Sequence, residues 1–191
     1  MHSSEAWLRA VVETPGLTAL RLEDARSRLL EDSLRALEIV REAGGPVVDV
    51  GSGGGAPGIP LADALPELEF VLLEAERRKC EFLDAWAPPN ARVVWGRAEE
   101  QPTEWAAVAL AKALAPPHVA AEWCLPLVRT GGTVVLWIGE TAEPSRIAEV
   151  ARRVGGELAA EQNGLLVLRK TGPTPPGFPR RTGVARKRPL A

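Results

Sequence analysis

Hydrophobic positions along the chain follow two rhythms. Through residues 5–43 they recur at spacings of three and four. Leu22, Ala25, Leu29, Leu30, Leu34, Leu37 and Val40 fall on one apolar face, which predicts a mostly helical segment. Gly44-Gly45-Pro46 stops it, and the apolar run at 47–50 reads as a buried parallel strand. A glycine-rich turn and a short helix ending near Leu65-Pro66 follow. The pattern then predicts a strand at 69–73 ending in Glu74, a helix at 76–86 broken by Pro88-Pro89-Asn90, and a strand at 92–95. A fourth, weaker strand is predicted within 106–110. Pro116-Pro117 opens a helix to Leu127 that Gly131-Gly132 is expected to close. The most apolar run, 133–138, is placed at the centre of the sheet, and 146–154 is a further helix ended by Gly155-Gly156.

The last sheet segment has another character. Residues 157–162 and 165–169 flank Asn163-Gly164, the strongest short-range hairpin signal, so the final strand should run antiparallel to its predecessor. Alternating strands and helices predict a doubly wound α/β sheet. Dinucleotide dehydrogenases extend such a sheet with further parallel units. An antiparallel seventh strand instead marks the Rossmann-like class I S-adenosylmethionine-dependent methyltransferases. The expected divisions are an N-terminal helical segment at 1–45, a cofactor-binding domain at 46–171 and a Pro/Arg-rich tail at 172–191 of irregular structure. No internal repeat is evident.

Candidate chemistry centres on the turn after the first strand. Gly51, Gly53, Gly54 and Gly55 are followed by Ala56, Pro57 and Gly58. Consecutive glycines serve where backbone takes positive φ or lies against a ligand, and Pro57 suits the first turn of a helix. Gly51-x-Gly53-x-x-Ala56 fits a dinucleotide fingerprint, although such loops also close strand–helix turns without a ligand. Asp49 lies two residues before the first glycine. A carboxylate there suits the cationic methionine end of S-adenosylmethionine better than a pyrophosphate. Pro57 removes an N–H that a phosphate would want, and no Gly-Lys-Ser/Thr follows, which excludes a P-loop. Glu74, about twenty residues beyond the first glycine, can accept both ribose hydroxyls of an adenosine; the plainer reading is a solvated carboxylate at a strand end.

Charge changes the picture at one end only. Seven of the 23 basic residues lie from Arg169 onward, where there is no acid; the rest of the chain holds 16 bases against all 25 acids, a net −9. Arg180, Arg181, Arg186, Lys187 and Arg188, between Pro179 and Pro189, are expected to form an extended basic chain that meets RNA phosphates. A second reading has Phe178 and Leu190 pin the tail across the sheet and complete the fold. The overall 46% apolar and 25% charged content is that of a globular chain, with no run of membrane-spanning length. Met1-His2-Ser3-Ser4 has no signal-peptide character. Cys80 and Cys124 are too few for a disulfide framework or zinc site and read as buried thiols in a reducing cytoplasm. The six tryptophans, Trp7, Trp86, Trp95, Trp105, Trp123 and Trp137, fall mostly at core spacing and are expected to be buried.

With these residues in place, the chain resembles the bacterial 16S rRNA guanine-N7 methyltransferase family, also called the glucose-inhibited division protein B family. The resemblance covers about residues 17–190. It rests on Asp49-Val-Gly-Ser-Gly-Gly-Gly-Ala-Pro-Gly-Ile-Pro-Leu61, on Leu72-Leu-Glu74 with Lys79-Cys-Glu-Phe-Leu83, and on Gly96-Arg-Ala-Glu99. Trp123-Cys-Leu-Pro-Leu127, Pro179-Arg-Arg-Thr-Gly183 and Lys187-Arg-Pro-Leu190 also match. It implies the class I methyltransferase fold and methylation of a guanine in small-subunit rRNA. The partner would be 16S rRNA or the small ribosomal subunit, met by a cytoplasmic monomer.

The cofactor-binding residues so implied are Asp49, Gly51, Ser52, Gly53, Gly54, Ala56, Pro57 and Glu74. Ala98 and Glu99 lie where the family cradles the adenine. Glu99 reads equally as an exposed helix-start carboxylate. Lys112, at the carboxyl end of the fourth strand, is the candidate for positioning substrate, against a plain surface lysine. His118 after Pro116-Pro117 lacks the flanking Asn and Tyr of an amino-methyltransferase motif and is read as coincidence. No metal is expected. The sequence departs from the family at Gly16, Leu29, Lys112, Ile138 and Ala185. Those departures keep open a diverged paralogue that binds cofactor or rRNA without methylating. An NAD-dependent oxidoreductase is the remaining alternative, opposed by the terminal hairpin.

Overall fold

The structure is a computed structural model that describes residues 4–191; the reading of Met1, His2 and Ser3 as free of a signal lies outside the described residues. Seven strands form one sheet in the order β3-β2-β1-β4-β5-β7-β6. They are β1 (Val47–Val50), β2 (Phe70–Glu74), β3 (Ala91–Trp95), β4 (Ala106–Ala111), β5 (Val128–Trp137), β6 (Gly156–Gln162) and β7 (Leu165–Lys170). The first five are mutually parallel, and β7 runs antiparallel to both β5 and β6. Asn163 and Gly164 both take positive φ, 49° and 68°, at the turn between β6 and β7. That is the geometry the Asn-Gly pair encodes. The doubly wound sheet with its antiparallel closing strand is therefore as the pattern predicts.

The middle of the sheet is not β5 but β4, whose sequence looks weakest. All six of its residues are buried. Its alanines are poor strand formers by propensity, but small side chains on both faces let helices approach closely. One face meets α7 (Pro117–Cys124) and the other α4 (Leu37–Ala43). Gly131-Gly132 also departs from expectation. The helix gives way to a 3₁₀ turn at Leu125–Leu127, and the glycines lie inside the ten-residue β5. Gly131 takes φ +84° where the register against β4 slips, a bulge rather than a helix stop.

The N-terminal segment is broken where periodicity suggests one face. It comprises α1 (Ser4–Glu13), α2 (Leu22–Ala25), a π-helical turn (Arg26–Glu31), α3 (Asp32–Leu34) and α4. The π turn shifts the face, so Leu22 is 43% exposed while Ser33 and Ala36 are buried. Helices α5 (Gly58–Ala64) and α6 (Arg77–Trp86) cover the same side of the sheet. Trp7, Leu8, Val11 and Ala25 pack there with Ile59, Leu72 and Leu83. The opposite side carries α7 and α8 (Pro144–Arg153), with Ile147, Val150 and Val154 against Val134, Leu136 and Leu168.

The tail lies on that opposite side. Phe178, Leu190 and Ala191 pack against its core, and Ala185 is buried in α9 (Val184–Lys187). The expectation of an extended tail is corrected there by one helical turn. Lys170 is fully buried; its Nζ donates to Thr174 Oγ1 at 2.7 Å and to the carbonyls of Leu125 and Val154 at 3.1 and 3.2 Å. Burial lowers its pKa to about 8. Among the described residues no helix is long and apolar enough to cross a membrane.

Candidate functional site

The carboxyl ends of β1, β2, β3 and β4 converge on a cavity of about 670 Å³. Its floor is the glycine turn. Gly51 takes φ +70°, and a Cβ there would stand 2.4 Å from Leu114 Cδ1. Only glycine fits both the backbone and the space. The N–H groups of Gly51 and Ser52 donate to Leu73 O at 2.8 and 3.2 Å, which locks the turn to β2. A Cβ at Gly53 would meet nothing nearer than Gly51 O at 3.8 Å, so backbone here is open to a ligand.

Glu74 ends β2 and is 7% exposed. Its Oε2 accepts from Gly53 N–H at 2.9 Å and its Oε1 from Glu76 N–H at 2.8 Å. Two backbone donors hold the carboxylate oriented on the cavity wall, and each oxygen keeps a lone pair for a further donor. A vicinal pair of hydroxyls is complementary to that arrangement.

Of the sequence-predicted cofactor residues, Gly51, Ser52, Gly53, Gly54, Ala56, Glu74, Ala98 and Glu99 line the cavity, whereas Asp49 and Pro57 do not. The reason for Asp49 is strand parity. Val48 and Val50 point to the α7 side, so Asp49 points the other way, beneath α5. Its Oδ2 accepts from Gly58 N–H at 3.1 Å, and its Oδ1 is buried without a hydrogen-bond partner. Asp49 thus anchors the start of α5 behind the turn. Burial raises its pKa to about 7, against the lowering effect of the Gly58 N–H.

A pH dependence follows. Between about pH 4 and 7 the unfolded chain has lost the Asp49 proton while the fold still holds it. Stability from this group is complete at the acid end and is lost as pH rises through about 7. Urea unfolding at pH 5 and pH 7.5 should therefore show wild type losing stability relative to Asp49→Asn as pH rises. Parallel behaviour of the two proteins would mean an ordinary carboxylate.

The other wall comes from the N-terminal segment: Val11, Leu17 and Thr18, then Arg28, Leu29 and Asp32. Lys112 lines this wall and is not a plain surface lysine. Its Nζ pairs with Asp32 Oδ2 at 3.1 Å and donates to the carbonyl of Arg28. Asp32 is further held by Arg35, and its carbonyl accepts from Trp137 Nε1 at 3.0 Å. Lys112 therefore ties the π turn to the end of β4.

Glu99 accepts from Gly183 N–H at 3.1 Å and so joins the cavity to the tail. Arg186 lines the cavity too, while Arg180, Arg181, Lys187 and Arg188 do not. Arg180 is taken up by Glu122, with bonds of 2.5 and 2.6 Å from Nε and Nη2. Arg181, Lys187 and Arg188 remain exposed. Of the six tryptophans Trp7 is fully buried, Trp86, Trp105, Trp123 and Trp137 are half-buried, and Trp95 departs furthest from the expected burial. It is 63% exposed, with Nε1 on Ala75 O at 3.0 Å and Arg77 over its ring. His118 lies outside the cavity. Among the described residues no cluster of His, Cys, Asp and Glu could hold a metal. The sequence reading gave no role to Arg28, Asp32, Arg97 or Leu114, all cavity residues.

The sequence profile of the family described as rRNA small subunit methyltransferase G matches residues 8–153. The chain belongs to that family. A relative from Rubrobacter xylanophilus named ribosomal RNA small subunit methyltransferase G is 39% identical, over 87% of this chain and 70% of its own length. One of the same name from Synechococcus sp. (strain JA-2-3B'a(2-13)) is 36% identical, over 84% and 72%. The family profile spans both the glycine turn and the π turn. The fold is shared more widely. A putative methyltransferase from Bacillus halodurans C-125 superposes with a TM-score of 0.59 at 14% identity, covering 74% of this chain and all of that one.

Proposed function

We propose that this protein is an S-adenosylmethionine-dependent methyltransferase acting on guanine N7 in 16S rRNA of the small ribosomal subunit, in the cytoplasm. The observation that carries the reading is the buried Glu74 carboxylate, fixed by Gly53 and Glu76 beside open glycine backbone in a cavity of about 670 Å³. Family membership supports the rRNA substrate. The residues suit the cofactor. Glu74 would take the ribose hydroxyls, the backbone of 51–54 the methionine end, and Ala98 with Glu99 the adenine. Asp49 supports the turn from behind. When bound, S-adenosylmethionine supplies a methyl group on a positively charged sulfur.

Little further chemistry is asked of the chain. Guanine N7 has a free lone pair in the neutral base, so no residue has to remove a proton before attack. The protein's work is orientation and exclusion of water. Gly51 and Gly53 admit close approach, and the Lys112–Asp32 pair fixes the π turn as the roof. Lys112 acts on substrate through that roof.

Calorimetry should show S-adenosylmethionine binding that Glu74→Ala weakens by about 1–3 kcal/mol, the cost of unpaired hydroxyls. Undiminished affinity would remove Glu74 from the site. The reaction itself is tested by incubating the protein with labelled S-adenosylmethionine and undermodified small subunits. The expected product is a single N7-methylguanosine in 16S rRNA. Bound cofactor with no label in RNA would overturn the substrate assignment.

A further inference from the structure

The cavity reverses the sign of the body around it. Outside the tail the chain is acidic, yet five bases line the cavity, Arg28, Lys79, Arg97, Lys112 and Arg186, against three acids, Asp32, Glu74 and Glu99. Every one of those acids is already engaged. Asp32 meets Lys112 and Arg35, Glu74 meets two backbone N–H groups, and Glu99 meets Gly183 N–H. Of the bases, Lys112 is tied to Asp32 and Lys79 to Glu76. The guanidinium groups of Arg28, Arg97 and Arg186 meet no carboxylate among the described residues, and all three side chains are exposed.

Two of these arginines come from opposite sides of the sheet. Arg28 rides on the π turn, whose neighbours pack with α5 and α6. Its backbone carbonyl is held by Lys112, so the turn that presents it is anchored to β4. Arg186 rides on α9, which is set against the α7 side by the buried Ala185 and by Gly183 on Glu99. Both elements are held firmly, and each offers an unpaired fork to the mouth of one cavity. Paired planar donors on two rigid supports match phosphate oxygens, which a guanidinium binds bidentately.

We propose that Arg28 and Arg186 form a two-sided clamp for RNA phosphates adjoining the nucleotide that enters the cavity. This rests on the rRNA methyltransferase reading. Cofactor is held by the glycine turn and Glu74; RNA is held across the carboxyl edge of the sheet by the clamp. Substrate positioning passes from Lys112 to the arginine that Lys112 orients.

The test uses the full chain with undermodified small subunits. Arg28→Ala and Arg186→Ala should each raise KM for the subunit about tenfold at 0.1 M salt. Each should flatten the plot of log affinity against log salt by roughly 0.7 to 0.9 units, and the double variant by about twice that. Arg28→Lys and Arg186→Lys should restore the slope but only part of the affinity, because the charge returns without the fork. Calorimetric affinity for S-adenosylmethionine and the melting temperature should stay at wild-type values. Unchanged salt slopes in both alanine variants would overturn the clamp. So would a change confined to one arginine, or a loss of cofactor affinity in Arg28→Ala with the slope intact. Wild-type protein that binds subunits with these slopes yet transfers no methyl would overturn the enzymatic reading and leave the clamp standing. Protein that binds no subunit overturns both.

Discussion

Deleting residues 178–191 is expected to lower the melting temperature and the cofactor affinity together. Sequence alone left two roles for this segment, an extended RNA-binding arm or a strap that completes the fold. The contacts favour the strap. Phe178 and Leu190 are packed against the α7–α8 core, and Arg153 donates to Leu190 O at 2.7 Å. Thr182 Oγ1 donates to Glu100 at 2.9 Å, next to the Gly183–Glu99 bond on the cavity wall. Deletion exposes that apolar surface and leaves the buried Glu122 without Arg180. The last of these alone costs about 3–5 kcal/mol, which in a chain of this size corresponds to a fall of about 6–20 °C. Loss of Gly183, the partner of Glu99, opens the cavity on one side, so S-adenosylmethionine should bind several-fold more weakly. A truncated protein with wild-type melting and cofactor affinity would restore the reading of the tail as an RNA arm alone.

How far the fold could be read from sequence depended on whether the deciding interaction was local. The glycine turn, Glu74 at a strand end and Asn163-Gly164 each encode their geometry within a few residues. All three are as expected, because positive φ and hairpin twist are local requirements. The side to which Asp49 points was equally local. Period-two alternation through Val48, Asp49 and Val50 puts Asp49 and its neighbours on opposite faces. The appeal of a carboxylate near a cationic cofactor masked that rule.

Other features were not legible. Nothing in the spacing of Leu22 to Val40 announces a π turn, which inserts one residue into an otherwise regular pattern. Lys112 finds Asp32 and the Arg28 carbonyl across some eighty residues of chain, and no periodicity reports such a pairing. Trp95 lies on the edge strand β3, and edge position is a property of strand order that the local sequence does not carry. Charge misled in a related way. Counting bases treated Arg180 like its neighbours, although a carboxylate far away in sequence had already claimed it.

That carboxylate defines the second large effect. Glu122, 3% exposed at its side chain, faces inward from α7, and Arg180 is 21% exposed. The fork is bidentate, Nε to Oε1 at 2.5 Å and Nη2 to Oε2 at 2.6 Å. Taking both charges out of water is costly, and their attraction repays it only while both are present. Arg180→Ala is therefore expected to destabilise by about 3–5 kcal/mol, because it strands a buried carboxylate. Arg180→Met combined with Glu122→Met should recover most of that loss, since an apolar pair of similar volume needs no compensation. A tail arginine devoted to RNA predicts the reverse, unchanged stability in Arg180→Ala and a flatter salt dependence of RNA binding. Urea unfolding of Arg180→Ala, of the single variants Arg180→Met and Glu122→Met, and of the double variant separates these outcomes. A coupling energy near zero in that cycle would show that the Arg180–Glu122 pair does not hold the tail. A coupling of several kcal/mol would make α9, and with it Arg186 at the cavity mouth, dependent on a residue that touches neither cofactor nor RNA.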